Sequence, residues 1–249
     1  MGTTPHREST RVCALCRLAR SALRCIESLP IAGLFAWLTG CGASAPAPAA
    51  GGHGHAPLVH RFEHAEHWAA ELEGPERDAW QQPDRVIDAL ELASGMLVAD
   101  VGAGTGYFEA RLSRAVGEPG KVLALDIEPD MVRHLQERAA REQLNNVEAR
   151  LVPGDDPQLT AASVDRILIV DTWHHISQRE AYSAKLREAL KPGGRVFIVD
   201  FKLDAEHGPP PQHRLAPDTV QRELSAGGLE TALLPISLPE QYIVTGLRK

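Results

Sequence analysis

The chain has 249 residues, 43% of them hydrophobic and 24% charged, a balance that allows a sizeable core without disulfides or metals. Its net charge of −7 is uneven: residues 1–41 carry five arginines against Glu8 and Glu27, while the rest holds 21 basic and 31 acidic side chains. A body this acidic would repel a polyphosphate, so nucleic acid is not an expected partner. All four cysteines (Cys13, Cys16, Cys25, Cys41) lie in the first 41 residues, leaving the body without a disulfide framework or a thiol nucleophile.

In chain order, the uncharged apolar run 28–38 is too short to span a bilayer and suits the apolar region of a signal peptide. It ends in Leu38-Thr39-Gly40-Cys41, which resembles the lipobox of bacterial lipoproteins. That resemblance implies lipidation of Cys41 and membrane attachment in the cell envelope; if the signal is not used, the protein is cytoplasmic. An over-long N-terminus or an amphipathic presequence is the competing reading of 1–41. Residues 42–59, rich in Pro, Ala, Gly and His, read as a linker. His53, His55, His60, His64 and His67 cluster next. The spacing of the last three suits one helix face, but no acidic or cysteine partner stands at ligand spacing, so no metal site is expected. Phe62, Ala65, Trp68, Ala69 and Leu72 instead make the apolar stripe of a short helix. A second helix starts at Pro83 and stops before Gly95, so 60–95 read as helices laid over one edge of the following domain.

Residues 96–249 alternate short apolar runs with amphipathic segments, the pattern of repeated βα units. Strands are expected at 96–101, 121–126, 146–152, 164–170 and 194–200, with a closing pair at 229–236 and 241–247. Helices are expected at 107–116, 129–143, 178–190 and 219–226. Gly102, Gly104 and Gly106 follow the first strand and open a helix, where absent side chains let a ligand approach the backbone. The spacing is G-x-G-x-G; a dinucleotide fingerprint would need glycine where Tyr107 stands.

Val98-Ala-Asp-Val-Gly-Ala-Gly-Thr-Gly-Tyr-Phe108 resembles motif I of the class I S-adenosylmethionine-dependent methyltransferases. The resemblance continues through Asp126, twenty residues past Gly106, through Gly154-Asp155-Asp156, through Asp165 to His175, and through Lys191-Pro-Gly-Gly-Arg-Val-Phe-Ile-Val199. The wider order, with Asp78-Ala-Trp-Gln-Gln-Pro83 before the glycine loop, is similar to bacterial members that often carry secretion or lipoprotein signals. The family implies a Rossmann-like α/β fold: a seven-stranded, mostly parallel sheet with an antiparallel last strand and helices on both faces. It implies S-adenosylmethionine as cofactor, held by Asp100, the three glycines, Asp126 on the ribose hydroxyls, Ile127 flanking the adenine, Asp155 or Asp156 at the adenine amino group, and Asp171 facing the methionine moiety.

His174 and His175, after the fourth strand, stand where the family contacts the acceptor, as catalytic groups or as packing and capping residues. The absence of [DN]-P-P-[YFW] after strand four and of cysteine in the body disfavours nucleobase acceptors and points to a small molecule. Two rival functions remain at this level: a catalytically silent, cofactor-binding surface lipoprotein, and an NAD-dependent oxidoreductase.

Overall fold

A computed structural model describes residues 73, 74 and 76–249, within the compact unit Gly51–Lys249. The signal-like segment with Cys41, the linker and the histidine cluster lie outside the described residues. Among the described residues two short helices come first, α1 (Arg77–Gln81) and α2 (Pro83–Ala89), joined at Gln82, whose φ of +46° turns the chain sharply. Five βα-type strands follow: β1 (Leu97–Val101), β2 (Lys121–Asp126), β3 (Val147–Leu151), β4 (Val164–Val170) and β5 (Leu190–Phe201). Between them run α3 (Glu109–Val116), α4 (Pro129–Arg141) and α5 (Arg179–Ala189); α6 (Pro217–Ala226) then leads to β6 (Glu230–Leu233) and β7 (Gln241–Leu247).

The sheet order is β3-β2-β1-β4-β5-β7-β6, with β1 to β5 parallel and β7 antiparallel to both its neighbours. The expected seven-stranded, mostly parallel sheet is therefore present. Its central strands are apolar on both faces because helices cover both. Ala99, Val101, Leu125, Ile167, Ile169 and Ile198 pack beneath α5 and α6, with Trp173, Leu186 and Leu224. Val98, Val122, Leu168, Phe197 and Val199 pack against α2 and α3, with Val86, Leu112 and Val116, while Leu135 of α4 covers Ala124 on the same side.

Some boundaries move for local reasons. The helix expected up to Gly95 ends at Ala89, because Glu91 adopts φ +50° and the Leu90 carbonyl accepts a bond from Arg166 Nε (2.9 Å). β5 starts four residues earlier than expected: Leu190 already pairs with Val164, and a register shift absorbs the Lys191-Pro-Gly-Gly194 turn before Arg195 pairs with Arg166. β6 stops at Leu233, ahead of Pro235, which cannot donate to a ladder.

Candidate active site

The strand order reverses between β1 and β4, so their carboxyl ends open a crevice, the usual ligand position in such sheets. The loop after β1 forms its floor. Gly102 and Ala103 N–H groups donate to the Leu125 carbonyl (2.8 and 3.0 Å), and Gly104 N–H donates to Asp126 Oδ2 (2.8 Å). Gly102 has φ +76°, and a Cβ there would lie 2.3 Å from Thr172 Oγ1. Gly102→Ala is thus expected to destabilise the domain by about 1–3 kcal/mol, read as a lower denaturant midpoint with unchanged slope. Gly104 differs: at φ +56° a Cβ would meet nothing nearer than the Gly102 carbonyl at 4.0 Å. The space in front of it is open to a ligand.

Asp126 ends β2 and is 7% exposed. Its Oδ1 accepts from Glu128 N–H (2.9 Å) as Oδ2 does from Gly104, leaving each oxygen acceptor capacity for a further donor. Burial raises its pKa, and the backbone N–H groups pull it back. Beside it Ile127 is 53% exposed, an apolar surface at the crevice wall. After β3, Asp155 stands exposed, whereas Asp156 is already engaged. It accepts from Gln158 N–H (2.8 Å) and pairs with Lys185 (3.2 Å), which hold its carboxyl below the usual range.

Beneath the loop, Asp100 at 3% exposure and Glu109 at 2% face each other as a carboxyl pair. Burial pushes Asp100 up to about 7 and raises Glu109 well above its ordinary value. At the end of β4, Asp171 sits at φ +51°, uncommon for a residue with a side chain. Its Oδ1 accepts from Gln241 Nε2 (2.5 Å), Gln241 Oε1 accepts from Gln81 Nε2, and Arg77 lies 3.8 Å from Oδ2. The Arg77 guanidinium also lies over the Tyr107 ring, 4.0 Å from its centroid.

Burial pushes Asp171 up to about 7, with Arg77 opposing. A carboxyl whose folded pKa is raised favours folding below its unfolded value near 3.9, and loses that contribution as pH rises to about 7. Asp171→Asn keeps the acceptor for Gln241 and tolerates positive φ. It should therefore raise the melting temperature at pH 8 while changing it little at pH 4. A lower melting temperature at pH 8 would show that the Arg77 contact outweighs desolvation.

The two histidines separate. His174 has a side chain 3% exposed, and its Nδ1 lies 2.9 and 3.1 Å from the two oxygens of Asp200, a wholly buried residue near the end of β5. Burial lowers the imidazole pKa, but the Asp200 carboxylate beside it prevails and the net shift is upward. His175 is half-buried, its ring 4.3 Å from that of His174. Arg77, Glu109, Asp200 and Gln241 carry no local motif that would have singled them out, while Gln81 lies within the stretch 78–83. Only the Asp78-Ala-Trp-Gln-Gln-Pro83 stretch hinted at α1.

The open backbone at Gly104, the acceptor capacity of Asp126 and the apolar face of Ile127 together fit an adenosine-bearing ligand. Residues 98–194 match the family model described as a methyltransferase domain. This segment, less than half of the chain, is similar to methyltransferase domains. The chain is 28% identical to an S-adenosylmethionine-dependent methyltransferase from Aquifex aeolicus of known structure, covering 74% of this chain and 98% of that one at a TM-score of 0.69. It is also 30% identical over 116 residues to the ubiquinone/menaquinone biosynthesis C-methyltransferase UbiE of Salmonella arizonae, a match covering 46% of each chain. The chain thus spans about half the length of the curated relatives it matches. A phosphoethanolamine N-methyltransferase from Haemonchus contortus, solved with S-adenosylhomocysteine, shares the fold at 14% identity and a TM-score of 0.54, covering 68% of this chain and 52% of that one.

Proposed function

We propose that the protein transfers a methyl group from S-adenosylmethionine to a small-molecule acceptor. The observation that carries this is the pairing of the open Gly104 backbone with Asp126 at the ends of β1 and β2. When bound, the cofactor supplies a sulfonium-activated methyl group for in-line displacement. The chain then has to bind and align its partners and keep water out. Asp126 accepts from the ribose hydroxyls, Ile127 flanks the adenine, Asp155 accepts from its amino group, and Asp100 faces the cationic methionine end. Asp171, with Gln241 and Arg77, closes that end of the crevice.

On the acceptor side we place the turn that follows β4. His175, half-buried, is the side chain there that can approach an acceptor, and His174 is held beneath it by Asp200. The name of the Salmonella arizonae relative is consistent with a carbon acceptor, which must lose a proton, the task a neutral imidazole can perform.

Parallel calorimetric titrations with S-adenosylmethionine and with NADH test the reading. Saturable binding of the first alone is expected. Binding of NADH alone would establish an oxidoreductase instead. Release of S-adenosylhomocysteine on adding small-molecule extract then separates an enzyme from a silent binder.

A further inference from the structure

Glu109 is the first residue of α3, directly behind the glycine loop: a Cβ on Gly106 would lie 3.3 Å from Glu109 Oε2. Both its carboxyl oxygens are buried, and among the described residues no donor of normal hydrogen-bond geometry reaches them, its own backbone N–H only lowering the pKa from nearby. A buried acceptor left without a donor is costly, so a native structure rarely keeps one without a use. The group it faces is the Asp100 carboxyl. Two carboxylates offer only acceptors to each other, so a hydrogen bond between them needs one proton to be shared. The charged groups around the pair are few. Asp126 adds negative charge to Asp100, Arg77 offsets it, and Arg138 of α4 acts on Glu109. Arg138 itself is committed, donating to Glu73 Oε1 (2.6 Å), the Thr105 carbonyl (3.0 Å) and Glu142 Oε1 (2.9 Å).

We propose that Glu109 is a second acidic group of the cofactor site: with Asp100 it holds one shared proton before the cofactor binds, and releases it when the cofactor's cationic methionine end arrives. This rests on the S-adenosylmethionine reading above. The exchange balances, since one positive charge enters and one proton leaves to solvent. No bond other than O–H breaks. The cost of two adjacent buried carboxylates is met only when a cation sits against them. The ammonium charge would then take the place of the released proton at the pair, and the site would favour ligands with an ammonium group at that end.

The test needs no acceptor. S-adenosylhomocysteine, which keeps the ammonium group and is chemically stable, is titrated into the full chain at pH 6.5 in phosphate, PIPES and imidazole. The dependence of the observed enthalpy on buffer ionisation enthalpy gives the protons released. About one per site is expected, with affinity rising about tenfold per pH unit between roughly pH 5.5 and 7. Glu109→Gln puts an amide donor on Asp100 in place of the shared proton and so favours its ionised form before the ligand binds, so release should fall and the pH dependence should flatten. Adenosine, which lacks the ammonium group, should release no proton from either protein. Enthalpies independent of buffer in the parent protein, or unchanged release in Glu109→Gln, would overturn the proposal while leaving the cofactor reading intact. Absence of any binding in the parent protein would overturn both.

Discussion

Asp126→Ala is expected to weaken S-adenosylmethionine binding by about 10²–10⁴-fold. The substitution removes a charged acceptor for two hydroxyls, each bond contributing on the order of 1.5–3 kcal/mol, and about 1.4 kcal/mol corresponds to tenfold in affinity. The structure adds a second consequence. Asp126 also accepts from the Gly104 and Glu128 N–H groups, so the variant should lose stability by about 1–2 kcal/mol through two unanchored backbone donors. Calorimetric titration and thermal melting separate the two effects. Unchanged affinity in a folded variant would remove Asp126 from the site.

His174→Ala is expected to cost about 3–5 kcal/mol of stability, because it leaves the Asp200 carboxylate buried with its partner gone. Phe201 N–H remains on Asp200 Oδ1 at 2.8 Å, which does not neutralise the charge. The sign with pH follows from the raised imidazole pKa. The ion-pair contribution is present below the unfolded value near 6.5 and fades as pH rises through the folded value, so the gap between parent and variant should narrow from pH 6 to pH 9. Replacing both residues with leucine removes the stranded charge and should recover much of the loss. Equal melting temperatures for parent and His174→Ala at pH 6 would contradict the structural role. A loss of turnover by about 10²–10⁴-fold at a temperature where the variant stays folded would assign His174 to proton transfer at the acceptor.

The parts of the fold legible in the sequence were those written in local pattern. β1, β2 and β4 are runs buried on both faces, and the glycine loop needs left-handed backbone at three positions in five, so each announces itself over a handful of residues. The resemblance singled out Asp126 and Ile127, which the structure places at the end of β2 and directly after it. What stayed hidden depends on partners far apart in the chain. Asp200 meets His174 across 26 residues and Gln81 meets Gln241 across 160, distances over which no periodicity reports a hydrogen bond. The burial of His174 was likewise not foreseeable from a His-His pair after a strand, because it is set by β5 running alongside. Asp155 and Asp156 are equivalent in sequence. They are separated by the Gln158 N–H and by Lys185 of α5, which both engage the Asp156 side chain.

The direction in which the chain passes through the domain has a practical consequence. Glu73, the first residue of the described part, is tied to Arg138, whose guanidinium also holds the glycine-loop carbonyl of Thr105; the backbone therefore comes in beside the mouth of the crevice. Because β7 runs antiparallel, the chain leaves at the opposite rim, where Arg248 N–H bonds to the Gly194 carbonyl at the start of β5. A bead, dye or fusion partner coupled at Lys249 would leave the cleft facing outward, whereas a bulky group joined directly upstream of Glu73 would crowd its opening.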